Sequence, residues 1–96
     1  MLLFRCYRTL RFRLRLTDKS RSSANDHGQV YWSTEQIPES AATGLSFVPV
    51  ADDQWHEYEV EVAANPRWRG RITRLRFDPC EQSDLKVELD WLRLCP

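Results

Sequence analysis

The sequence predicts an all-β fold, an antiparallel β-sandwich or jelly roll in which residues 1–96 form a single domain of about six strands. Apolar and polar residues alternate with period two along most of the chain, helical periodicity is nearly absent, and turn-forming residues separate the alternating segments. Ninety-six residues are enough for one hydrophobic core. No apolar run approaches the roughly 20 residues of a membrane-spanning helix, so we expect no membrane partner.

The two clearest strands carry complementary charges. Residues 10–17 have apolar side chains at even positions, and residues 55–62 have apolar or aromatic side chains at even positions. The odd positions include Arg11, Arg13 and Arg15 in the first strand and Glu57, Glu59 and Glu61 in the second. Because opposite charges directly across a sheet stabilise an antiparallel pair, we predict that these strands are neighbours.

Four further segments have strand patterns, and two of them change phase. The predicted strands are Gly28–Thr34, Leu45–Val50, Arg71–Asp78 and Lys86–Leu94. Ile72 is out of phase with Leu75, and the two halves of the last strand differ in phase, so we expect β-bulges near Thr73 and Asp90. The same alternation predicts core positions at Phe12, Leu14, Trp32, Tyr58, Val60, Leu75, Phe77 and Leu89, and places Trp91 in the core with Leu89.

The charged residues are segregated along a chain of zero net charge. Residues 1–21 carry a net +6, residues 22–66 a net −8, residues 67–76 a net +5 and the remainder a net −3. Nucleic-acid binders normally have a net positive excess, so balanced blocks argue against a nucleic-acid partner. The run from Arg67 to Arg71 could suit phosphates and stacked bases, but a hairpin turn with Trp68 packed on the sandwich edge is the favoured interpretation.

Catalytic and metal-binding patterns are weak, and we predict that the chain is not an enzyme and needs no cofactor. Carboxylates at i and i+2 of one strand, such as Glu57 and Glu59, lie roughly 7 Å apart, within the range of inverting glycosidases. A regular acidic row facing water has nothing to raise one pKa above the others, and pairing with arginines explains it better. The three cysteines are consistent with one disulfide and a free thiol or with three thiols, and none has metal-ligand spacing.

Several segments together resemble a known family. The order of GQVYWST, WHEYEVEV, WRGRITRLRFDP and KVELDWLRL is similar to the C-terminal part of galactose-binding-like jelly-roll domains, which include the carbohydrate-binding modules of bacterial carbohydrate-active enzymes. The resemblance implies a non-catalytic accessory module, extracellular or on the cell surface, that binds a glycan or polysaccharide and adjoins another domain of a larger protein. It also implies that the sandwich is incomplete at the N-terminus, and it matches Asp90 to a residue that ligates a structural calcium ion.

A sugar site is expected on the polar face of the sheet. Alternation places Tyr31 and Trp55 outward as stacking surfaces. The hydrogen-bonding side chains on outward positions are Gln29, Arg13, Glu57 and Arg74. The alternative is a structural or protein-interaction sandwich without a sugar site, and the two hypotheses differ in whether Tyr31 and Trp55 are buried.

Overall fold

Two three-stranded antiparallel sheets pack against each other in the computed structural model, which describes residues 7–18, 27–80 and 85–96. The strands are β1 (Thr9–Asp18), β2 (Gly28–Thr34), β3 (Gly44–Phe47), β4 (Trp55–Val60), β5 (Ile72–Asp78) and β6 (Leu85–Cys95). Sheet A has the order β4-β1-β6, and sheet B has the order β3-β2-β5. Helical structure within the described residues is limited to 3₁₀ turns at Ala41–Thr43 and Val62–Ala64. The predicted all-β sandwich is therefore confirmed.

The central strand β1 pairs with β4 as the charge pattern predicts. Arg11 lies opposite Glu59 and Arg13 lies opposite Glu57, while Arg15 lies opposite Trp55. The predicted neighbours are confirmed, together with the register that sets arginine across from glutamate. The third arginine lies opposite an indole instead of a carboxylate, because the antiparallel register that pairs Arg11 with Glu59 sets Arg15 opposite Trp55.

Both predicted bulges are present. In the β1–β6 ladder, Arg13 pairs with Trp91 and Leu14 pairs with Leu89, which leaves Asp90 as the extra residue. In the β2–β5 ladder, Ser33 pairs with Arg74 and Thr34 pairs with Ile72, which leaves Thr73 as the extra residue. Each bulge restores the inward phase of the apolar residues beyond it.

The core between the sheets is built around Phe12. Its ring lies 4.8 Å from the rings of both Phe47 and Phe77 in sheet B, in edge-to-face contacts, and 5.4 Å from Tyr58 on the neighbouring strand. Edge-to-face and stacked rings gain energy beyond the area that they bury. Of the predicted core positions, Phe12, Leu14, Trp32 and Val60 are buried, and Tyr58, Leu75 and Phe77 are half-buried against them.

Leu89 is one predicted core residue that the structure contradicts, since it is 50% exposed. It lies opposite Leu14, so its side chain is on the inward face as alternation predicts. However, β6 is an edge strand of sheet A, and Val87 on the same strand is also exposed. Alternation identifies the face of a sheet but not how far the opposite sheet extends over it.

The run from Arg67 to Arg71 connects the two sheets. It joins β4 in sheet A to β5 in sheet B, so the expected hairpin is wrong, although the predicted packing of Trp68 is right. Trp68 is 5% exposed and its indole meets that of Trp32 edge to face at 5.1 Å. An indole buried in this way cannot stack on a nucleic-acid base.

Two further sequence features are the cysteines and the lack of a long apolar run. Cys80 and Cys95 are not joined by a disulfide, and Cys6 lies outside the described residues. Across residues 7–18, 27–80 and 85–96, the structure has no helix with the length and apolar character needed to cross a membrane.

Candidate functional site

The outward face of sheet A is a grid of three rows across three strands. Since Leu10, Phe12, Leu14 and Leu16 are fully buried, the odd positions of β1 point outward. Their partners on β4 and β6 therefore share that face. The rows, read from β4 through β1 to β6, are Trp55–Arg15–Glu88, Glu57–Arg13–Trp91 and Glu59–Arg11–Arg93. We call these nine residues and the bulge residue Asp90 the grid face.

Two tryptophans lie on the grid face, one on each edge strand. Trp55 and Trp91 are half-buried and occupy adjacent rows on opposite sides of β1. Strand spacing and residue rise place their Cα atoms about 12 Å apart. Guanidinium groups lie over both indoles. The guanidinium carbons of Arg13 and Arg15 are 4.7 Å and 5.3 Å from the centroid of the Trp55 ring, and that of Arg93 is 4.4 Å from the centroid of Trp91. The face thus combines aromatic surface with planar hydrogen-bond donors.

Carboxylates of β6 form ion pairs with the two arginines that contact Trp55. Arg13 Nη1 donates to Asp90 Oδ2 at 2.7 Å. Arg15 donates to Glu88 through both Nε and Nη2, at 3.2 and 2.9 Å. This hydrogen bonding keeps the pKa of Glu88 below its usual value. Paired in this way, the two guanidiniums have defined positions beside the indole.

Glu57 and Glu59 do not make the ion pairs that the arginine and glutamate rows suggested. Although they lie opposite Arg13 and Arg11, they are exposed, and within the described residues neither forms an ion pair. Arg13 and Arg15 pair with β6 instead. The charge pattern therefore predicts which strands are adjacent but not which side chains bond.

Asp90 is engaged in an ion pair where the family resemblance implied a calcium ligand. The described residues contain no group of three or more His, Cys, Asp or Glu side chains that could hold a metal ion. A calcium ion needs six to eight oxygen ligands, and the nearest partner of this carboxylate is a guanidinium. The described residues around Asp90 therefore do not fit a calcium ion, and calcium has no part in the proposal below.

Trp91 is the site residue that sequence reasoning missed. Its parity with Leu89 predicted a core position, which is wrong, because the extra residue Asp90 shifts Trp91 to the outward face opposite Arg13. The signal was available in the sequence, since a bulge near Asp90 was itself predicted. A bulge at Asp90 reverses the alternation from Trp91 onward, and this reversal places the indole of Trp91 on the polar face.

The sequence-predicted site residues divide between the two sheets. Arg13, Trp55 and Glu57 belong to the grid face of sheet A. Gln29, Tyr31 and Arg74 lie on the outward face of sheet B, on the other side of the core. The structure therefore does not bring the six residues into one site, because alternation cannot tell which of two sheets a strand joins.

On sheet B, the predicted residue Tyr31 is held in a network of its own. Its hydroxyl donates to Gln29 Oε1 at 2.7 Å, and its ring lies 5.1 Å from the guanidinium of Arg76. Arg76 in turn pairs with Asp78 and Glu39, which keep its pKa above the usual value. A cleft of about 200 Å³ opens beside Tyr31 and Gln29. Tyr31 is half-buried, as is Trp55, so both remain partly accessible.

A larger cleft of about 550 Å³ lies between the loop after β2 and the loop before β5. It is lined by Thr34, Glu35, Gln36, Ile37, Arg69, Gly70 and Arg71. Arg71 bonds Glu35 at 3.1 Å, and Arg76 is neutralised nearby by its own carboxylates. The arginines of residues 67–76 are therefore partly compensated, which does not favour a phosphate-binding patch.

No protein family model, curated protein or solved structure matches this chain.

Proposed function

We propose that this chain is a non-catalytic carbohydrate-binding module whose glycan lies across the grid face. The observation that carries the proposal is the position of Trp55 and Trp91 on one outward face, on either side of Arg13. Indole rings stack on the apolar C–H faces of sugar rings, and two indoles on one open face can contact successive parts of a chain. The family resemblance agrees with this function and with a role beside an adjacent domain.

The polar groups between the indoles suit sugar hydroxyls. Arg13 and Arg15 present planar donors, and Asp90 and Glu88 present acceptors, all held in place by the ion pairs described above. Groups that are already ordered lose little conformational entropy when a ligand arrives. An open sheet excludes little water, so we expect dissociation constants of roughly micromolar to millimolar.

The carboxylates of the grid face are poorly arranged for catalysis. A general acid needs a raised pKa, whereas Arg15 lowers the pKa of Glu88. Glu57 and Glu59 face water on the exposed surface of β4. These features support binding without turnover.

Binding of glycans by single-residue variants tests the proposal. The purified chain is first screened on a glycan array, and its best ligand is titrated against Trp55→Ala, Trp91→Ala and the control Tyr31→Ala. We expect each tryptophan variant to lose about tenfold in affinity, since covering the exposed part of an indole contributes on the order of 1.4 kcal/mol, which is a factor of about ten in the dissociation constant. The control, on the opposite sheet, should keep wild-type affinity. Unchanged affinity in both tryptophan variants would exclude the grid face, and binding to no glycan would overturn the proposal.

The exposed apolar residues of β6 favour a second candidate, a sandwich that packs beside an adjacent domain without binding sugar. Val87 and Leu89 are 37% and 50% exposed on an edge strand. Edge strands with exposed apolar side chains are common points of protein contact. A glycan screen without hits, together with loss of binding in Leu89→Asp to the adjacent domain expressed as a separate chain, would favour this function.

A further inference from the structure

The third row of the grid face places two arginines side by side, and within the described residues neither forms an ion pair. Arg11 of β1 lies directly opposite Arg93 of β6, and both are exposed. Like charges directly opposite on neighbouring strands destabilise a sheet. The other two arginines of β1 have acidic partners on β6, in Glu88 and Asp90, so the third row departs from the pattern of its own strands.

Neither guanidinium of this row is neutralised within the described residues. Glu59 lies opposite Arg11 on β4, but the two side chains do not come within ion-pair distance. Arg93 contacts the ring of Trp91 and no described carboxylate. Within residues 7–18, 27–80 and 85–96, the two adjacent guanidiniums therefore have no ion-pair partner and can accept an external anion, with Glu59 on the far side of Arg11.

Stacking on Trp91 orders one of these cations beside the proposed sugar surface. The guanidinium carbon of Arg93 lies 4.4 Å from the centroid of the indole. A stacked guanidinium keeps its N–H groups free at its edge, where they can donate to an oxyanion. Two such groups on neighbouring strands match the paired oxygens of a carboxylate or a sulfate.

We infer that the ligand of the grid face is an acidic glycan, whose carboxylate or sulfate group bridges Arg11 and Arg93 while the sugar chain extends over Trp91 towards Trp55. This inference rests on the proposed function and adds the chemical class of the ligand. A charged ligand group offsets the repulsion between the two arginines, so the acidic form of a polymer should bind more tightly than its neutral form.

Matched pairs of polymers test the inference. Affinity gel electrophoresis or calorimetry compares polygalacturonate with its fully methyl-esterified form, and dextran sulfate with dextran, so that carboxylates and sulfates are examined separately. The variants are Arg11→Gln, Arg93→Gln and Arg93→Lys. Arg69→Gln, an exposed arginine before β5, removes the same charge outside the grid face.

We expect one acidic polymer to bind at least about tenfold more tightly than its neutral partner, because hydrogen bonds to charged groups contribute more than neutral ones. Arg11→Gln and Arg93→Gln should abolish that preference, Arg93→Lys should retain part of it, and Arg69→Gln should leave it intact.

Equal binding of acidic and neutral forms would overturn the inference while leaving the proposed function in place. An equal loss in Arg69→Gln, or none in the Arg11 and Arg93 variants, would also overturn it. Binding to none of the four polymers would overturn the inference, whereas the proposed function fails only if the glycan array also yields no ligand.

Discussion

The indole rings of Trp32 and Trp68 meet edge to face with their centroids 5.1 Å apart, and each donates its Nε1–H to a backbone carbonyl of another segment. Trp32 donates to the carbonyl of Arg67 at 3.1 Å, and Trp68 donates to the carbonyl of Tyr7 at 3.0 Å. Through these two hydrogen bonds, the segment that precedes β5 contacts β2 in sheet B and Tyr7 before β1. The two sheets are tied together at this end by hydrogen bonds as well as by apolar contact.

Replacing Trp68 should destabilise the fold in two distinguishable steps. Trp68→Phe removes the indole N–H that donates to the carbonyl of Tyr7 and part of the ring volume, which should cost about 1–3 kcal/mol in the free energy of unfolding. Trp68→Ala also opens a cavity and should cost about 3–5 kcal/mol. Urea unfolding followed by far-ultraviolet circular dichroism measures both. Trp91→Phe on the grid face is the control and should cost less than about 1 kcal/mol, and a similar loss in all three variants would contradict the assignment of Trp68 to the core.

Two leucines that face each other across the β1–β6 ladder should respond differently to truncation. Leu14 is fully buried, whereas its partner Leu89 is 50% exposed. Leu14→Ala should therefore cost about 2–5 kcal/mol, while Leu89→Ala should cost less than about 1 kcal/mol. Thermal or urea unfolding of the two variants gives the comparison directly. Equal losses would mean that the edge strand is covered more completely than the structure describes.

The approximate positions of the strands, the faces of most of their residues and one strand pair could be predicted from the sequence because they depend on local alternation and charge. The pairing of β1 with β4 follows from the arginine and glutamate rows, and the bulges at Thr73 and Asp90 follow from changes of phase. Burial could not be predicted to the same extent. Leu89 has inward parity, yet its burial depends on where the opposite sheet ends, and that boundary is a property of the whole fold.

The candidate site could be predicted only in part for a related reason. Alternation places Trp55 and Tyr31 outward, but their strands belong to different sheets, so the two rings cannot contact one ligand on a single face. Trp91 reaches the grid face through one extra residue in the ladder. The partners of Arg13 and Arg15 on β6 lie more than 70 positions away in sequence, and nothing in the local pattern of β1 indicates them.

Gly28 should resist substitution because of its closeness to the aromatic core. A Cβ atom at this position would overlap the ring of Phe47, which itself packs edge to face on Phe12. Gly28→Ala should therefore force the ring to move and cost about 1–3 kcal/mol in the free energy of unfolding.

The matched control for this substitution is Gly70→Asn. Gly70 has a φ of 69° and open space around it, and asparagine tolerates that backbone conformation better than other residues. It should lose less than about 1 kcal/mol. A chemical-denaturation series on the two variants provides the comparison. If Gly28→Ala were as stable as the wild type, the contact between β2 and the ring of Phe47 would be wrong.

Acid should weaken the fold partly through Glu88. Arg15 lowers the pKa of this carboxyl group in the folded state, so between the folded and unfolded pKa values the native protein binds fewer protons than the unfolded chain. The stabilisation is therefore fully present above the usual glutamate pKa of about 4.3 and is lost as the pH falls through the lower folded value.

Arg15→Gln removes the ion pair with Glu88, so its melting temperature should fall below that of the wild type near neutral pH. The gap between the two melting temperatures should narrow in acid. Arg69→Gln, which breaks no ion pair within the described residues, should show a gap that does not depend on this titration. Melting curves from about pH 2.5 to pH 7 test this, and a gap for Arg15→Gln that stays constant over that range would show that the Arg15–Glu88 pair contributes nothing to stability.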